Sequence, residues 1–189
     1  MKIAIRGAGN RGGATARGLA QSKHINTKNI FVSNPSKGKL DALKAEFPEI
    51  NITQDNKECI KDADMVILAV KPWKVGDVAG EIATHLKNGN VIVGSMAAGT
   101  NTDKIENMFG QHHIYIIIPN TAIAVRQSMT FIARKNTMPE MDNDIIAIFK
   151  DLGEAMIIEE RLMGAGMALA SCGIAYAMRY IRAAAEGGV

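Results

Sequence analysis

The chain has 189 residues, 47% hydrophobic and 22% charged, with 22 Lys and Arg against 19 Asp and Glu for a net charge of +3. That composition suits a folded domain with a sizeable core and excludes a disordered chain, and the basic residues form no block of the kind that tracks a phosphate backbone, so nucleic acid is not expected as a partner. Cys59 and Cys172 lie far apart with no C-x-x-C and no metal-ligand spacing, which points to a reducing, cytoplasmic compartment without disulfides or a bound metal.

In chain order, the apolar run of MKIAIRGAG is far too short for a signal peptide, so a domain is expected to begin at once. Lys2 to Arg6 reads as a buried strand and Asn29 to Ser33 as another, with a helix opening at Asn10 between them. The joint is Gly7-Ala8-Gly9-Asn10-Arg11-Gly12, a G-x-G-x-x-G pattern. The bare pattern is weak, but here it follows a strand and opens a helix, as dinucleotide binding requires. Gly7 permits the tight turn, Gly9 lets the backbone approach a pyrophosphate, and Gly12 lets helix and strand pack closely. The helix N-terminus then offers free N–H groups to the anion.

The end of the second strand selects the dinucleotide. An NAD site usually places an acid about 20 residues beyond the loop, where it bonds the ribose hydroxyls. This chain reads Ser33-Asn34-Pro35-Ser36-Lys37, with no acid before Asp41. Asn34 and Ser36 can donate hydrogen bonds and Lys37 adds charge, so NADPH is expected ahead of NADH.

The alternation then repeats. Ser36 to Phe47 reads as a helix, Asp64 to Val70 as a strand, Lys74 to Leu86 as an amphipathic helix, and Asn90 to Gly94 as a strand after the Asn88-Gly89 turn. His112 and His113 read as a loop end, not a metal site; His113 to Ile118 and Met129 to Ala133 are strands around the Pro119–Thr121 turn. Pro139 to Leu152 is a helix with Pro at its start and Gly153 past its end, followed by a short strand. Val- and Ile-rich strands alternating with helices imply a Rossmann-type, mostly parallel sheet covered on both faces.

Glu159 to Glu186 reads as one continuous helix, and a boundary is expected near Glu159: residues 1–158 form a dinucleotide-binding domain and 159–189 begin a helical one. Leu162 to Met178 carries no charge over 17 residues. A bilayer span needs about 20 apolar residues, and glycines dilute this run. Gly164-Ala165-Gly166 lacks a preceding strand and a third glycine, so it is no second nucleotide loop. A long helix apolar nearly all round must be buried, which predicts a homo-oligomer joined through this helix, in its simplest form a homodimer.

Four motifs in order resemble the pyrroline-5-carboxylate reductases: GAGNRG at Gly7, AVKP at Ala69 to Pro72, SMAAG at Ser95 to Gly99, and IPNT at Ile118 to Thr121. EERLMGAGMALASCGIAY, Glu159 to Tyr176, lies where the family has an acidic residue, a helix and its substrate loop SGSGPAY. The resemblance implies an NADPH-dependent oxidoreductase of a cyclic C=N bond, acting in the last step of proline synthesis. It implies that Ala8, Asn10 and Arg11 line the pyrophosphate and that Asn34, Ser36 and Asn56 face the adenosine. Val70, Lys71 and Pro72 with Ala97, Ala98 and Gly99 would face the nicotinamide; Asn120, Ser171, Cys172 and Gly173 would face the substrate.

The chain departs from the family at Arg11, at Ile116 to Ile118, and in the substrate loop, where Ser171 stands for Gly and Ile174 for Pro. The family continues through further helices, one bearing an active-site threonine, so no catalytic residue is named within these 189 residues. Two other readings accompany the main one: a non-catalytic or shortened NADPH-binding relative, and a reductase of another cyclic imino acid. A β-hydroxyacid reductase would need a catalytic Lys at the start of the long helix, and Glu159 to Val189 contains none.

Overall fold

Aliphatic and β-branched runs that have no polar face must be covered on both sides, and in the computed structural model they occupy the middle of one sheet. The structure describes residues 1–86 and 90–188; the expected Asn88-Gly89 turn and Val189 lie outside them. Among the described residues eight strands pair in the order β3-β2-β1-β4-β5-β6-β7-β8. They are β1 (Ile3–Arg6), β2 (Ile30–Ser33), β3 (Asn51–Thr53), β4 (Met65–Leu68), β5 (Ile92–Ser95), β6 (His113–Ile118), β7 (Ser128–Lys135) and β8 (Gly153–Ile157). The first six are parallel, with Ile3 opposite Ile30 on one side and Met65 on the other.

β7 runs antiparallel to β6, with Ile117 opposite Ile132, and β8 is parallel to β7. The connection from Ile118 to Ser128 is too short for the crossover a parallel pair needs, whereas β7 and β8 are joined through a full helix.

Successive strand residues point to opposite faces, and the two cores follow from this. Ile3 and Ile5 pack with Leu19 of α1 (Asn10–Ala20), Leu40 and Leu43 of α2 (Lys37–Glu46) and Phe149 of α6 (Pro139–Lys150). Ala4, Val66 and Leu68 pack on the other face with Cys59 of α3 (Asn56–Ile60), Val78 and Ile82 of α4 (Val75–Ile82), and Ile105 and Phe109 of α5 (Thr102–Phe109). Strand order reverses between β1 and β4, so the crevice at their carboxyl ends is the topological switch point where ligands of open α/β sheets bind.

The C-terminal segment is helical throughout but not uniform. A 3-10 turn at Glu160–Leu162 leads into α7 (Met163–Gly166), a π-helical stretch at Met167–Cys172, and α8 (Gly173–Gly187). The expected single α-helix is thus wound more loosely in the middle, where the Ala170 carbonyl accepts a hydrogen bond from the Asn120 side chain. Gly166 is required there, since a Cβ would stand 2.8 Å from the Phe131 ring. No residue of α8 is buried, and Tyr176, Met178, Tyr180 and Ile181 are all exposed. Among the described residues no helix is long and apolar enough to cross a membrane, and no group of three His, Cys, Asp or Glu could hold a metal ion.

Candidate dinucleotide and substrate site

The Gly7–Gly12 loop leaves β1 at the switch point, and its glycines are used differently. Gly7 has φ +109°, and a Cβ on it would lie 2.6 Å from the Ala69 carbonyl oxygen. A Cβ on Gly12 would fall 1.9 Å from the Gly7 carbonyl oxygen, so helix α1 can approach β1 only with hydrogen at that position. Gly9 has nothing within 4 Å of its Cβ position. It caps α1 without a side-chain hydrogen bond, leaving first-turn N–H groups for an anion.

Neighbouring elements hold the loop in place. The Gly7 N–H donates to the Ser33 carbonyl at 2.8 Å, and the Ala8 N–H to Asn34 Oδ1 at 3.1 Å. Asn34 in turn donates to the Ser36 carbonyl at 3.0 Å. Arg11 reaches across to the Met96 carbonyl at 2.9 Å, tying the loop to the end of β5.

A cleft of about 900 Å³ opens between the loop, the end of β2 and the segment from Ala69 into α4. It brings together Gly7, Gly9, Asn10, Arg11, Asn34, Ala69, Val70, Lys71, Pro72 and Ala98 of the expected site. Ala8 faces a second cavity of about 480 Å³, between α1 and α2. Ser36 and Lys37 lie outside both walls, at the cap and first residue of α2, while Lys39 lines both. Asn56 stands behind the wall, buried, accepting from Ser33 Oγ at 3.0 Å and donating to the Glu81 carboxylate. Ala97 is buried in the core, and its carbonyl accepts from Thr100 Oγ1 at 2.7 Å, which holds the turn through Gly99 at φ +74°.

The expected substrate residues meet across the chain. Asn120 is buried and does three things: its Oδ1 accepts from the Ala122 N–H at 3.0 Å, its own N–H donates to Ser128 Oγ at 3.2 Å, and its Nδ2 donates to the Ala170 carbonyl at 3.1 Å. That last bond places the turn carrying Ser171, Cys172 and Gly173 beside the Pro119–Thr121 segment. Glu160 anchors the same linker from the other side, accepting from the Thr102 N–H at 2.6 Å and Thr102 Oγ1 at 2.7 Å at the start of α5.

The cleft residues not singled out from the sequence include Arg6, Lys39, Trp73 and Glu81. Arg6 and Trp73 directly adjoin the glycine loop and AVKP, and that adjacency was the available signal. Arg6 is half-buried; desolvation lowers its guanidinium pKa while Glu81 opposes the shift.

The sequence model of the family described as "NADP oxidoreductase coenzyme F420-dependent" matches residues 2–99. Pyrroline-5-carboxylate reductase of Escherichia coli (strain K12) is 32% identical over 190 residues, covering 100% of this chain and 70% of that protein. The chain belongs to the pyrroline-5-carboxylate reductase family. A solved pyrroline-5-carboxylate reductase from Coxiella burnetii superposes with a TM-score of 0.91 at 29% identity, over 99% of this chain and 70% of that one. The Plasmodium falciparum pyrroline carboxylate reductase, solved with NADP bound, gives 0.87 at 28% identity over 100% and 69%. The chain spans only 36% of the length of another such reductase, from Dictyostelium discoideum. In this pyrroline-5-carboxylate reductase relative the cleft carries residues of GAGNRG and AVKP, and the Asn120–Ala170 bond joins IPNT to the C-terminal helix.

Proposed function

We propose that this chain carries the nucleotide half and the start of the substrate half of an NADPH-dependent reductase that converts 1-pyrroline-5-carboxylate to proline, the final step of proline biosynthesis. One observation carries the reading: a phosphate loop with a free helix N-terminus opens onto a cleft walled by Ala69–Pro72 and Ala98, in a chain of this family.

The residues fit a dinucleotide on geometric grounds. Gly7 and Gly12 are closed against backbone while Gly9 faces open space, which is the pattern a pyrophosphate needs. The first-turn N–H groups of α1 bind the diphosphate, Asn34 at the end of β2 holds the adenosine side, and Val70 to Pro72 with Ala98 bound the nicotinamide side. When bound, the cofactor supplies a hydride to the imine carbon, and with one proton at nitrogen the products are proline and NADP⁺.

The chain's own part is positioning. Arg11 fixes the loop against β5 through Met96, and Asn120 fixes the π turn through Ala170. Ser171 to Gly173 lie in and just after that turn and are the residues we assign to the substrate side, Ser171 through its hydroxyl; the Gly173 N–H is spent inside the helix on the Ala168 carbonyl. We put the break between the nucleotide unit and the helical unit near Glu159; the next residue, Glu160, accepts from the Thr102 N–H and hydroxyl.

The exposed Tyr176, Met178, Tyr180 and Ile181 of α8 support a homo-oligomer, with this helix packed on a second copy and covering the reaction from water. Cytoplasmic placement accords with Cys59 and Cys172 both being free thiols.

The test is NADPH oxidation by the natural full-length protein on addition of 1-pyrroline-5-carboxylate. Turnover that disappears in Gly9→Asp supports the reading. NADPH binding without turnover would transfer support to a non-catalytic relative, which Ser171 and Ile174 in the substrate turn favour, and turnover with a different cyclic imine alone would change the substrate.

A further inference from the structure

Arg6 is the last residue of β1 and its only charged one; Ile3, Ala4 and Ile5 before it are fully buried. Its register partners are Ser33 at the end of β2 and Leu68 at the end of β4, so its side chain leaves the sheet at the switch point. The residue after it begins the phosphate loop, and Arg6 lines the same 900 Å³ cleft as Gly9, Asn34 and Lys39.

The guanidinium has five N–H donors, and the protein uses few of them. Nη1 reaches the Ser33 carbonyl only at 3.5 Å, and Nε is buried with no hydrogen-bond partner among the described residues. A buried donor left unpaired is unfavourable, and an arginine half-buried beside a ligand cleft is relieved of that penalty when the ligand accepts from it. Glu81, the acid whose field Arg6 feels most, is bonded instead to the Asn56 amide and forms no ion pair with Arg6 among the described residues. Lys74 is paired with Asp77 at 2.8 Å. Lys39 makes no ion pair among the described residues, so Arg6 and Lys39 stand free to meet an anion on this side of the cleft.

Which anion follows from position. In a dinucleotide fold the loop takes the diphosphate, and the end of the second strand meets the adenosine ribose, where an acid selects the free hydroxyl and a nearby arginine admits a phosphate on it. Here no acid follows β2 before Asp41, and Arg6 is paired in register with the last residue of β2. We propose that Arg6 is the specificity-determining residue of the nucleotide site: delivered from β1, its guanidinium takes the ribose 2′-phosphate that distinguishes NADPH from NADH, with Lys39 of α2 as a second cation. The inference rests on the reductase reading above and deepens it.

The experiment measures equilibrium binding of NADPH and of NADH to the natural protein by titration calorimetry, with quenching of Trp73, the only tryptophan and a cleft residue, as a second signal. Arg6→Leu is expected to weaken NADPH by about 10- to 100-fold, the loss of one charge-assisted contact, and NADH by less than about twofold. Arg6→Lys keeps the charge and restores most of the NADPH affinity; it also serves where Arg6→Leu does not fold. Equal weakening of both dinucleotides in both variants, or no change in either, overturns the inference. A wild-type protein that prefers NADH overturns it while leaving the reductase reading intact, and one that binds neither dinucleotide overturns both.

Discussion

The side-chain amide of Asn120 donates a 3.1 Å hydrogen bond to the carbonyl of Ala170, joining two segments 50 residues apart in the chain. One segment ends the parallel part of the sheet; the other is the π turn of the C-terminal helix. The oxygen of the same amide is committed to the Ala122 N–H, so one side chain holds both the Pro119–Thr121 turn and the C-terminal helix.

Asn120→Ala removes both side-chain bonds and leaves the Ala122 N–H without its acceptor. A stability loss of about 1–3 kcal/mol is expected. The kcat/KM for the imino acid should fall at least tenfold, and the Kd for NADPH should stay within about twofold, because the phosphate loop is untouched. Comparable losses in both constants would contradict the assignment of Asn120 to the substrate side.

Gly9 and Gly12 should separate binding from folding. Alanine at Gly12 would place a Cβ 1.9 Å from the Gly7 carbonyl oxygen, so the strand–helix junction must shift, at a cost of about 1–3 kcal/mol or more. Gly9→Ala has open space around it and should leave the melting temperature unchanged, while its methyl occupies the approach of the pyrophosphate and weakens NADPH binding. Thermal melts and calorimetric titrations on the two variants check this directly. A destabilised Gly9→Ala with normal NADPH affinity would overturn the loop assignment.

Glu160→Ala detaches the linker from the start of α5 by removing the acceptor of both Thr102 bonds. Loss of a half-buried, charge-assisted cap of this kind costs about 1–2 kcal/mol. Protease digestion should then cut between Ile158 and Met163 faster than in the wild type. Unchanged cleavage would show that β8 alone secures the linker.

The Lys135–Glu106–Asn136 cluster sets one acid limit on stability. Lys135 and then Asn136 hold the Glu106 carboxyl below its usual value of 4.5. A carboxylate whose folded pKa is depressed contributes stability that is complete above the unfolded pKa and is lost as pH falls through the folded one. The urea midpoint of the wild type should therefore exceed that of Glu106→Gln near neutrality, and the difference should shrink as pH falls below about 4.5. A difference that persists in acid would assign the effect to packing instead.

Much of the fold was legible because β1, β2, β4, β5 and β6 are buried on both faces and read as mostly apolar runs. β3, three half-buried residues, and α3, five residues capped by Asp55, are too short to show a period. The π turn was also hidden, and the side chain that bonds to it lies 50 residues away. The glycine loop was readable because Gly7 and Gly12 answer steric demands of the turn and Gly9 stands between them at the helix cap. Arg6 and Trp73 offered only their adjacency to the glycine loop and AVKP, since a lone arginine ending a strand or a lone exposed tryptophan carries no spacing, and the cleft shows what they face.

The proposed reaction is hydride delivery from this cleft to a cyclic imine. Its most direct measurement uses NADPH carrying deuterium at the transferable position, the natural full-length protein and 1-pyrroline-5-carboxylate, with the product read by nuclear magnetic resonance. Proline deuterated at the former imine carbon is expected, one equivalent for each NADPH consumed. NADPH bound but not consumed, or consumed without deuterium reaching proline, would contradict it.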